Sequence, residues 1–340
     1  RAVAGDGDEV GEREPGGAED DDAVGGLRQV SGHGHIVAEG RHTPATRILM
    51  TREPSLSGVS GRSYRPGMNI ADDPYDDANL TDPYPLFQRM REAGPAVWLD
   101  KYDVAAFSRF AEVREILVDH ETFISGAGVG PRNYHHQPPW RKPGILDSDP
   151  PMHTPLRTVM ADVISPRNMR PLRAGFQEFA TPLVDKLLDM REFDAITDLA
   201  ELFPIRVFGD AVGIPREGRA ENLLPHGAMN FAQFGPEDAR YEHYMRAGEH
   251  TIEWTMNNCA RENLSPDGLG AKIWAHADAG VVAPEEAAVL VRALLSAGLD
   301  TTVIAIGNTL RCLTANPDQW DLVHATPRLT KFAIDEALRF

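Results

Sequence analysis

The sequence predicts a mainly α-helical protein with a small β region near its start. Apolar residues recur every three or four positions through most of the chain after residue 150, which is typical of amphipathic helices. A short alternating stretch between Val97 and Phe107 predicts the β region. One long apolar segment from Pro284 to Asn316 predicts a central helix around which the others pack.

Composition excludes several classes of function. The chain has 340 residues and a formal net charge of −17. Because nucleic acids and anionic membranes bind proteins through clustered positive charge, this net charge argues against either as the main partner. Its two cysteines, Cys259 and Cys312, lie far apart and give neither a disulfide framework nor zinc-ligand spacing. No secretory signal pattern is evident, so we expect a cytoplasmic protein.

The two ends of the sequence differ from its middle. Residues 1–67 are polar and carry an acidic run at Glu19–Asp22, which predicts a disordered or non-native N-terminal extension. Its three histidines fit either a solvated tail or a metal-binding tract; they are His33, His35 and His42. Because the chain starts at Arg1 and stops at Phe340 within a helical pattern, we expect residues 68–340 to be a partial domain.

The ordered elements follow from local signals. We expect order to begin near Asp82–Pro83, with a first helix that buries Leu86 and Met90 and stops at Gly94–Pro95. A β-hairpin should follow, turning near Asp100–Lys101, and then a helix from about Phe110. The buried side of that helix should carry Val113, Ile116 and Leu117. Beyond a Pro/Gly-rich loop at about 125–150, apolar spacing predicts helices over 172–190, 205–212 and 241–259.

The segment from Pro284 to Asn316 is the strongest single prediction. Pro284 suits a first helical turn, and Asn316 followed by proline ends the pattern. At 1.5 Å per residue such a helix is roughly 48 Å long, enough to cross a domain. A membrane span is the competing interpretation, but Arg292 and Asp300 interrupt the apolar stretch. We therefore expect a buried core helix.

The middle of this helix carries residues that suit a buried helix poorly. Gly298, Asp300 and two following threonines stand together there. They indicate either a functional site or a tolerated bend with a paired acid. Elsewhere, His153 and Arg157 lie four apart, so on a helix both would project from one face toward an anion. Glu336 and Arg339 have the spacing of an ion pair on one helix face.

Together these motifs resemble those of the cytochrome P450 superfamily. The stretch Asp-Pro-Pro-x-His-x-x-x-Arg, from Asp149 to Arg157, is similar to the helix that holds the haem propionates. Ala-Gly-x-Asp-Thr-Thr, from Ala297 to Thr302, resembles the oxygen-binding kink, and Glu-x-x-Arg, from Glu336 to Arg339, resembles another superfamily helix. The resemblance covers about residues 68–340 and implies an incomplete cytochrome P450 fold.

The resemblance also implies a cofactor, haem b (iron protoporphyrin IX), and roles for these residues. His153 and Arg157 would bind the haem propionates, and Ala297 and Gly298 would lie against the haem. Gly298 would leave space for a diatomic ligand. Thr301 would donate a hydrogen bond at the oxygen-binding position, and Asp300 would relay protons from solvent. Glu336 and Arg339 would be structural.

A narrower resemblance is to bacterial class I enzymes of the CYP199 type, which oxidise para-substituted benzoic acids. It is carried by Leu294–Thr302, by Leu223–Pro225 with Phe231–Pro236, and by Pro139–Arg141. Gly144 and Ala293 depart from it, since serine hydroxyls are expected there. The resemblance implies an aromatic-acid pocket in which Arg141 and Arg292 hold the substrate carboxylate. Four apolar residues would enclose the substrate ring: Leu146, Phe231, Phe234 and Ala297.

The superfamily binds iron through a cysteine thiolate in a loop beyond the Glu-x-x-Arg motif. We expect that cysteine to lie after Phe340, so no residue here is assigned as a metal ligand, and this fragment alone should be inactive. We interpret Cys259 and Cys312 as apolar fillers.

The implied function is that of a haem-thiolate monooxygenase that hydroxylates or O-demethylates a small aromatic acid. It would use O2 and electrons from a [2Fe-2S] ferredoxin and its reductase. Two alternatives stay open: a peroxide-driven relative, and a non-catalytic haem-fold remnant or ligand-binding protein.

Overall fold

The computed structural model describes Ala2–Val3, Leu49–Thr51 and residues 69–339. Two short pieces of the expected N-terminal extension are strands, β1 (Ala2–Val3) and β2 (Leu49–Thr51). The remainder of residues 1–68, with the acidic run and the three histidines, lies outside the described residues. The expectation for 1–67 as a whole therefore stays a prediction.

Helices dominate the described residues, as the sequence predicts. They comprise α1 (Asp77–Thr81), α2 (Tyr84–Ala93), α3 (Phe110–Val118), α4 (His153–Val163), α5 (Pro166–Met169), α6 (Leu172–Met190), α7 (Leu202–Val212), α8 (Arg219–Ala232), α9 (Ala239–Gly248), α10 (Thr251–Asn258), α11 (Leu269–Asp278), α12 (Pro284–Ala315), α13 (Pro317–Ala325) and α14 (Thr330–Arg339). A π-helical turn, Ala195–Ala200, precedes α7.

The β region is small and lies mostly near the start. Strands β3 (Asn69–Ile70), β4 (Val97–Leu99) and β5 (Val104–Ala106) join β2 in a sheet of order β2-β5-β4-β3. The predicted hairpin is the antiparallel pair β4–β5, and its turn is the 3-10 segment Asp100–Tyr102. A second sheet pairs β1 with β6 (Glu192–Phe193).

The first helices agree with the apolar spacing, with one correction. Leu86 and Met90 are buried on α2, which ends at Gly94. On α3, Val113 and Ile116 are buried, but Leu117 is 62% exposed, so its predicted burial is wrong. Val113 and Ile116 pack into a cluster with Phe107 and Phe123, and Leu117 lies outside that cluster. Secondary structure also precedes the expected start near Asp82–Pro83, since β3 and α1 come before it.

Later boundaries shift in two places. The segment predicted as one helix over 241–259 is divided between α9 and α10, with Glu249 and His250 between them. The helix predicted over 205–212 starts three residues earlier, at Leu202. The Pro/Gly-rich loop is confirmed except for a 3-10 turn at Ile145–Asp147.

Helix α12 organises the main core. It packs against α7, α8, α11 and α14, and also touches α4. Its first half is buried through Leu299, whereas residues from Thr301 onward are half-buried or exposed. The prediction of a core helix is therefore confirmed for one half. By length and composition alone α12 could cross a membrane, a property that core helices of globular proteins share.

Candidate functional site

The motif in the middle of α12 presents different residues to different neighbours. Ala297, Thr301, Ile304, Asn308 and Arg311 are all exposed, and their spacing places them along one side of the helix. We call these five residues the open stripe. It begins at the motif residues Ala297 and Thr301, so the motif lies where the buried half of α12 gives way to the exposed half.

Gly298 faces another helix. A Cβ atom placed on it would lie 2.2 Å from Cζ of Phe208 on α7. The glycine therefore makes room for an aromatic ring of the core. The expectation that its missing side chain leaves space for a diatomic ligand stays a prediction. The motif lies within one continuous helix, since α12 runs from Pro284 to Ala315.

The Asp300 carboxyl group is directed toward α8. Its Oδ2 atom would lie 1.6 Å from a Cβ atom on Gly227, so a larger residue there would require the Asp300 carboxyl to move. Oδ2 is buried and has no hydrogen-bond partner in the part of the chain that the structure describes. Burial raises the pKa of Asp300 from 3.8 to about 7. A tolerated bend would require Asp300 to be paired, and among the described residues it has no such partner. With a pKa of about 7, its carboxyl group can gain or lose a proton near neutral pH.

Both threonine hydroxyls donate hydrogen bonds back along α12. Thr301 Oγ1 donates to the Ala297 carbonyl oxygen at 2.7 Å, and Thr302 Oγ1 donates to Gly298 O at 2.8 Å. Thr301 is exposed on the open stripe, so its oxygen can still accept a hydrogen bond from outside the helix. To donate to a ligand, its hydroxyl must leave the Ala297 carbonyl.

Helix α4 carries the two predicted cationic residues. It begins at His153, and Arg157 follows one turn later, with His153 half-buried and Arg157 exposed. Asp149 stands just before the helix and accepts hydrogen bonds from the Ser125 and Gly126 amides at 2.8 and 2.7 Å. The carboxylate of the Asp-Pro-Pro motif therefore fixes the preceding loop to the start of α4.

These residues fit a flat, largely apolar group with anionic edges. The open stripe offers small and apolar residues at Ala297 and Ile304, and α4, which touches α12, offers an exposed guanidinium at Arg157. His153 adds an imidazole on the same face of α4. Haem with its two propionates has this chemistry. Cys259 does not fit as a ligand, because burial raises the pKa of its thiol to about 12.

The Glu336–Arg339 pair has the geometry that its spacing predicts. Arg339 Nη2 lies 2.5 Å from Glu336 Oε1, and Nε lies 2.8 Å from Oε2, so the guanidinium binds both carboxylate oxygens. The pair stands on α14, which packs against α12. The ion pair holds the pKa of Glu336 below its usual value.

The two arginines predicted to hold a carboxylate differ in their partners. Arg141 forms a bidentate ion pair with the fully buried Asp147, with Nη1–Oδ2 and Nη2–Oδ1 distances of 2.5 and 3.2 Å. Arg292, only 6% exposed on α12, makes one hydrogen bond among the described residues, from Nη2 to Lys142 O at 3.1 Å. Burial and then the nearby Arg141 lower its pKa to about 10. Arg292 is thus the buried cation that lacks a carboxylate.

The predicted aromatic pair is brought together. The rings of Phe231 and Phe234 are 5.7 Å apart in an edge-to-face arrangement. Phe231 is 40% exposed, which rules out ordinary core packing for this ring, and Leu146 is 58% exposed. The place of Leu146 in a common pocket with this aromatic pair stays a prediction.

Gly144 and Ala293 replace the two serines of the resembled pocket, and the structure gives a reason for the glycine. A Cβ atom on Gly144 would lie 2.9 Å from Cγ1 of Val289 on α12. Any larger residue requires Val289 to move. The structure offers no comparable reason for Ala293.

Sequence reasoning missed the polar residues around Arg292. Asp147, which neutralises Arg141, follows it by six residues, a spacing without a standard motif. His226 and Trp140 have rings 6.2 Å apart and both carry a buried ring nitrogen without a partner among the described residues. No signal in the sequence pointed to His226, since a lone histidine on an apolar helix is usually part of the core.

No protein-family model matches the chain. It is 44% identical over 298 residues to cytochrome P450 CYP199A2 of Rhodopseudomonas palustris. This alignment covers 86% of this chain and 71% of that relative. It is 26% identical to the epothilone C/D epoxidase of Sorangium cellulosum, covering 78% of this chain and 67% of that relative. For the β-dihydromenaquinone-9 ω-hydroxylase of Mycobacterium bovis the identity is 28%, covering 84% of this chain and 58% of that relative.

Solved structures resemble the fold as well. The epothilone D-bound cytochrome P450epoK superposes with a TM-score of 0.63 at 23% identity, covering 80% of this chain and 70% of that one. CalO2 superposes with a TM-score of 0.62 at 22% identity, and the alignment covers 79% of this chain and 69% of the CalO2 chain. At these identities the likeness concerns the fold alone.

Proposed function

Since the chain belongs to the cytochrome P450 superfamily of haem-dependent monooxygenases, we propose that the protein oxidises a small aromatic acid. The substrate would be a para-substituted benzoate, and the reaction a hydroxylation or an O-demethylation. The 44% identity to CYP199A2 supports this subgroup. The single observation that carries the substrate class is Arg292, a buried cation with no carboxylate partner among the described residues.

A buried guanidinium needs a compensating negative charge. Removing a cation from water costs several kcal/mol unless an anion or several hydrogen bonds replace the water. Asp147 provides one negative charge for two arginines, and it binds Arg141 through both oxygens. A substrate carboxylate would supply the second negative charge. The two arginines of the resembled pocket are therefore unequal: Arg292 would bind the acid, while Arg141 would hold Asp147.

Haem b would supply the oxidising chemistry with O2 and two electrons when it is bound. His153 and Arg157 would hold its propionates, and Ala297 would lie against its plane. The chain's own contribution is to deliver protons. Asp300, whose pKa is about 7, would exchange a proton with water, and Thr301 would pass a hydrogen bond to the reacting side through its exposed oxygen.

The remaining assignments complete the proposal. We assign no cysteine among the described residues as the thiolate ligand of the iron, since the thiol of Cys259 is buried and its pKa is raised to about 12. Electrons would come from a [2Fe-2S] ferredoxin and its reductase, and the protein would be cytoplasmic, as the bacterial relatives suggest. A peroxide-driven relative would not need Asp300 and Thr301, so the presence of both supports the O2-dependent reaction.

The substrate class is tested by matched ligands. In the intact haem-loaded protein, 4-methoxybenzoate should bind and shift the haem absorption spectrum. Arg292→Ala should weaken its binding by about tenfold or more, the worth of one charged hydrogen bond, and should change the affinity for the neutral methyl ester much less. Arg246→Ala is the control, because Arg246 is 72% exposed on α9. Equal losses for acid and ester would contradict the role of Arg292.

The proton-delivery role is tested separately. Thr301→Ala should increase the NADH consumed per molecule of product, because protons would no longer arrive in step with electrons. Thr302→Ala is the matched control, since that hydroxyl makes the same kind of bond to its own helix but is less exposed. If the two variants use NADH with the same efficiency, Thr301 has no special part in proton delivery.

A further inference from the structure

Beside Arg292 lie two buried ring nitrogens that lack hydrogen-bond partners among the described residues. They are Nε1 of Trp140, in the loop before α4, and Nε2 of His226, on α8. The two rings meet edge to face with their centroids 6.2 Å apart. His226 is 3% exposed, so bulk water does not reach it. Leaving a buried polar group unpaired destabilises a folded protein, so such a pair calls for an occupant.

The hydrogen bonds of the neighbours decide which nitrogen of His226 carries its proton. The Thr251 hydroxyl donates to Gly248 O at 2.6 Å, so its oxygen is left to accept. His226 Nδ1, 3.1 Å from that oxygen, must therefore be the donor. Burial and then the charge of Arg292 lower the pKa of His226 to about 4, so the ring is neutral near pH 7. Its Nε2 atom is then an acceptor.

The two unpaired atoms are complementary. The indole N–H of Trp140 can only donate, and Nε2 of His226 can only accept. They make no direct hydrogen bond, whereas one oxygen atom that accepts from the first and donates to the second would satisfy both. A hydroxyl group does this, and a carboxylate, a methoxy group or a halide does not, since none of these can donate.

The pair also lies next to the carboxylate anchor. Arg292 donates to the backbone oxygen of Lys142, two residues after Trp140, and its charge acts on the His226 ring. A ligand whose carboxylate binds Arg292 would therefore bring its ring close to both nitrogens. We propose that Trp140 and His226 form a hydroxyl-recognition subsite, so that the preferred substrates are aromatic acids that carry a ring hydroxyl. This rests on the proposed function, and it adds specificity residues that the motifs do not include.

The subsite is tested by the binding of ligands that differ in one hydroxyl. The intact haem-loaded protein would be titrated calorimetrically with 4-methoxybenzoate and with its 2-hydroxy and 3-hydroxy derivatives. One hydroxy derivative should bind about tenfold more tightly than the parent, as two added hydrogen bonds would give. Trp140→Phe, which keeps an aromatic ring without the N–H group, should reduce this gain to about twofold.

Matched variants separate recognition from folding. Trp274→Phe is the control for the indole, because Nε1 of Trp274 already donates to Cys259 O at 3.1 Å, and it should leave the gain unchanged. His226→Phe should abolish the gain, and His226→Gln, which restores an acceptor, should recover part of it. The protein has five tryptophans, so the Trp140 indole N–H signal can be assigned in ¹⁵N NMR spectra by its loss in Trp140→Phe. It should move when the hydroxy derivative binds.

Several results would overturn the subsite. The inference fails if neither derivative gains affinity, if the gain survives in Trp140→Phe, or if the indole signal does not move, which would indicate a buried water only. If no benzoate binds but 3-methoxyphenol binds and moves the Trp140 signal, the subsite stands and the aromatic-acid function fails. If neither kind of ligand binds, both proposals fail.

Discussion

Replacing Asp300 with asparagine should stabilise the protein, and more so as the pH rises. Burial raises the pKa of this carboxyl from 3.8 to about 7. Between these values the folded protein keeps a proton that the unfolded chain has lost, so stability falls as the pH rises from about 4 to about 7. The full cost of ionising the buried group is on the order of 4 kcal/mol, at 1.36 kcal/mol per pKa unit. Asparagine never ionises and avoids it.

The measurement is urea unfolding of both proteins between pH 5 and pH 8. The stability advantage of Asp300→Asn should grow by about 2–3 kcal/mol over this range. His226 titrates in the opposite sense, because its lowered pKa favours the folded state as the pH rises from about 4 to 6.5. Because His226 is present in both proteins, its contribution cancels in the difference between their free energies of unfolding. Asp185→Asn, at an exposed position of α6, is the matched control. An advantage that does not vary with pH would refute the burial of an unpaired acid at Asp300.

Two further substitutions test close contacts of α12. Gly298→Ala should destabilise the fold by about 1–3 kcal/mol, because its Cβ atom would lie 2.2 Å from the Phe208 ring, and Phe208→Leu should restore part of the loss in thermal unfolding. A neutral effect would show that the ring moves freely. Gly144→Ser alone should not improve benzoate affinity, because a Cβ atom at this position would lie 2.9 Å from Cγ1 of Val289. When Gly144→Ser is combined with Val289→Ala, the added hydroxyl should improve benzoate affinity severalfold in calorimetric titrations. A gain from the serine alone would contradict the steric reason.

The sequence predicted the elements whose signals are local. Periodic apolar residues gave α2, α6 and the long helix α12, and alternation between turn residues gave the hairpin β4–β5. The exposure of Leu117 was mispredicted, because burial depends on which surface a partner covers, and no local pattern contains that information. The same holds for the half of α12 that follows Thr301.

The members and roles of the candidate site stay predictions, but the structure shows the surroundings of several of them. The motif singled out Gly298 and Asp300, and the narrower resemblance added Arg292, all on α12. Their directions depend on contacts across helices: Gly298 meets Phe208, and Asp300 meets Gly227 on α8. Such contacts join residues about 70 to 90 positions apart, beyond what helical spacing can encode.

The charges around Arg292 also explain why the departures from the resembled pocket need not remove acid binding. Serine hydroxyls would add neutral hydrogen bonds to a carboxylate, each worth about 0.5–1.5 kcal/mol. The attraction of an unpaired, buried guanidinium is larger, since charged hydrogen bonds are about twice as strong and the surroundings screen them little. Gly144 is tied to Val289, so a serine there was sterically excluded, while Arg292 kept its charge without a protein carboxylate. In the proposed pocket, affinity for an anion would therefore depend on Arg292, and the choice among anions would depend on the polar atoms that surround it.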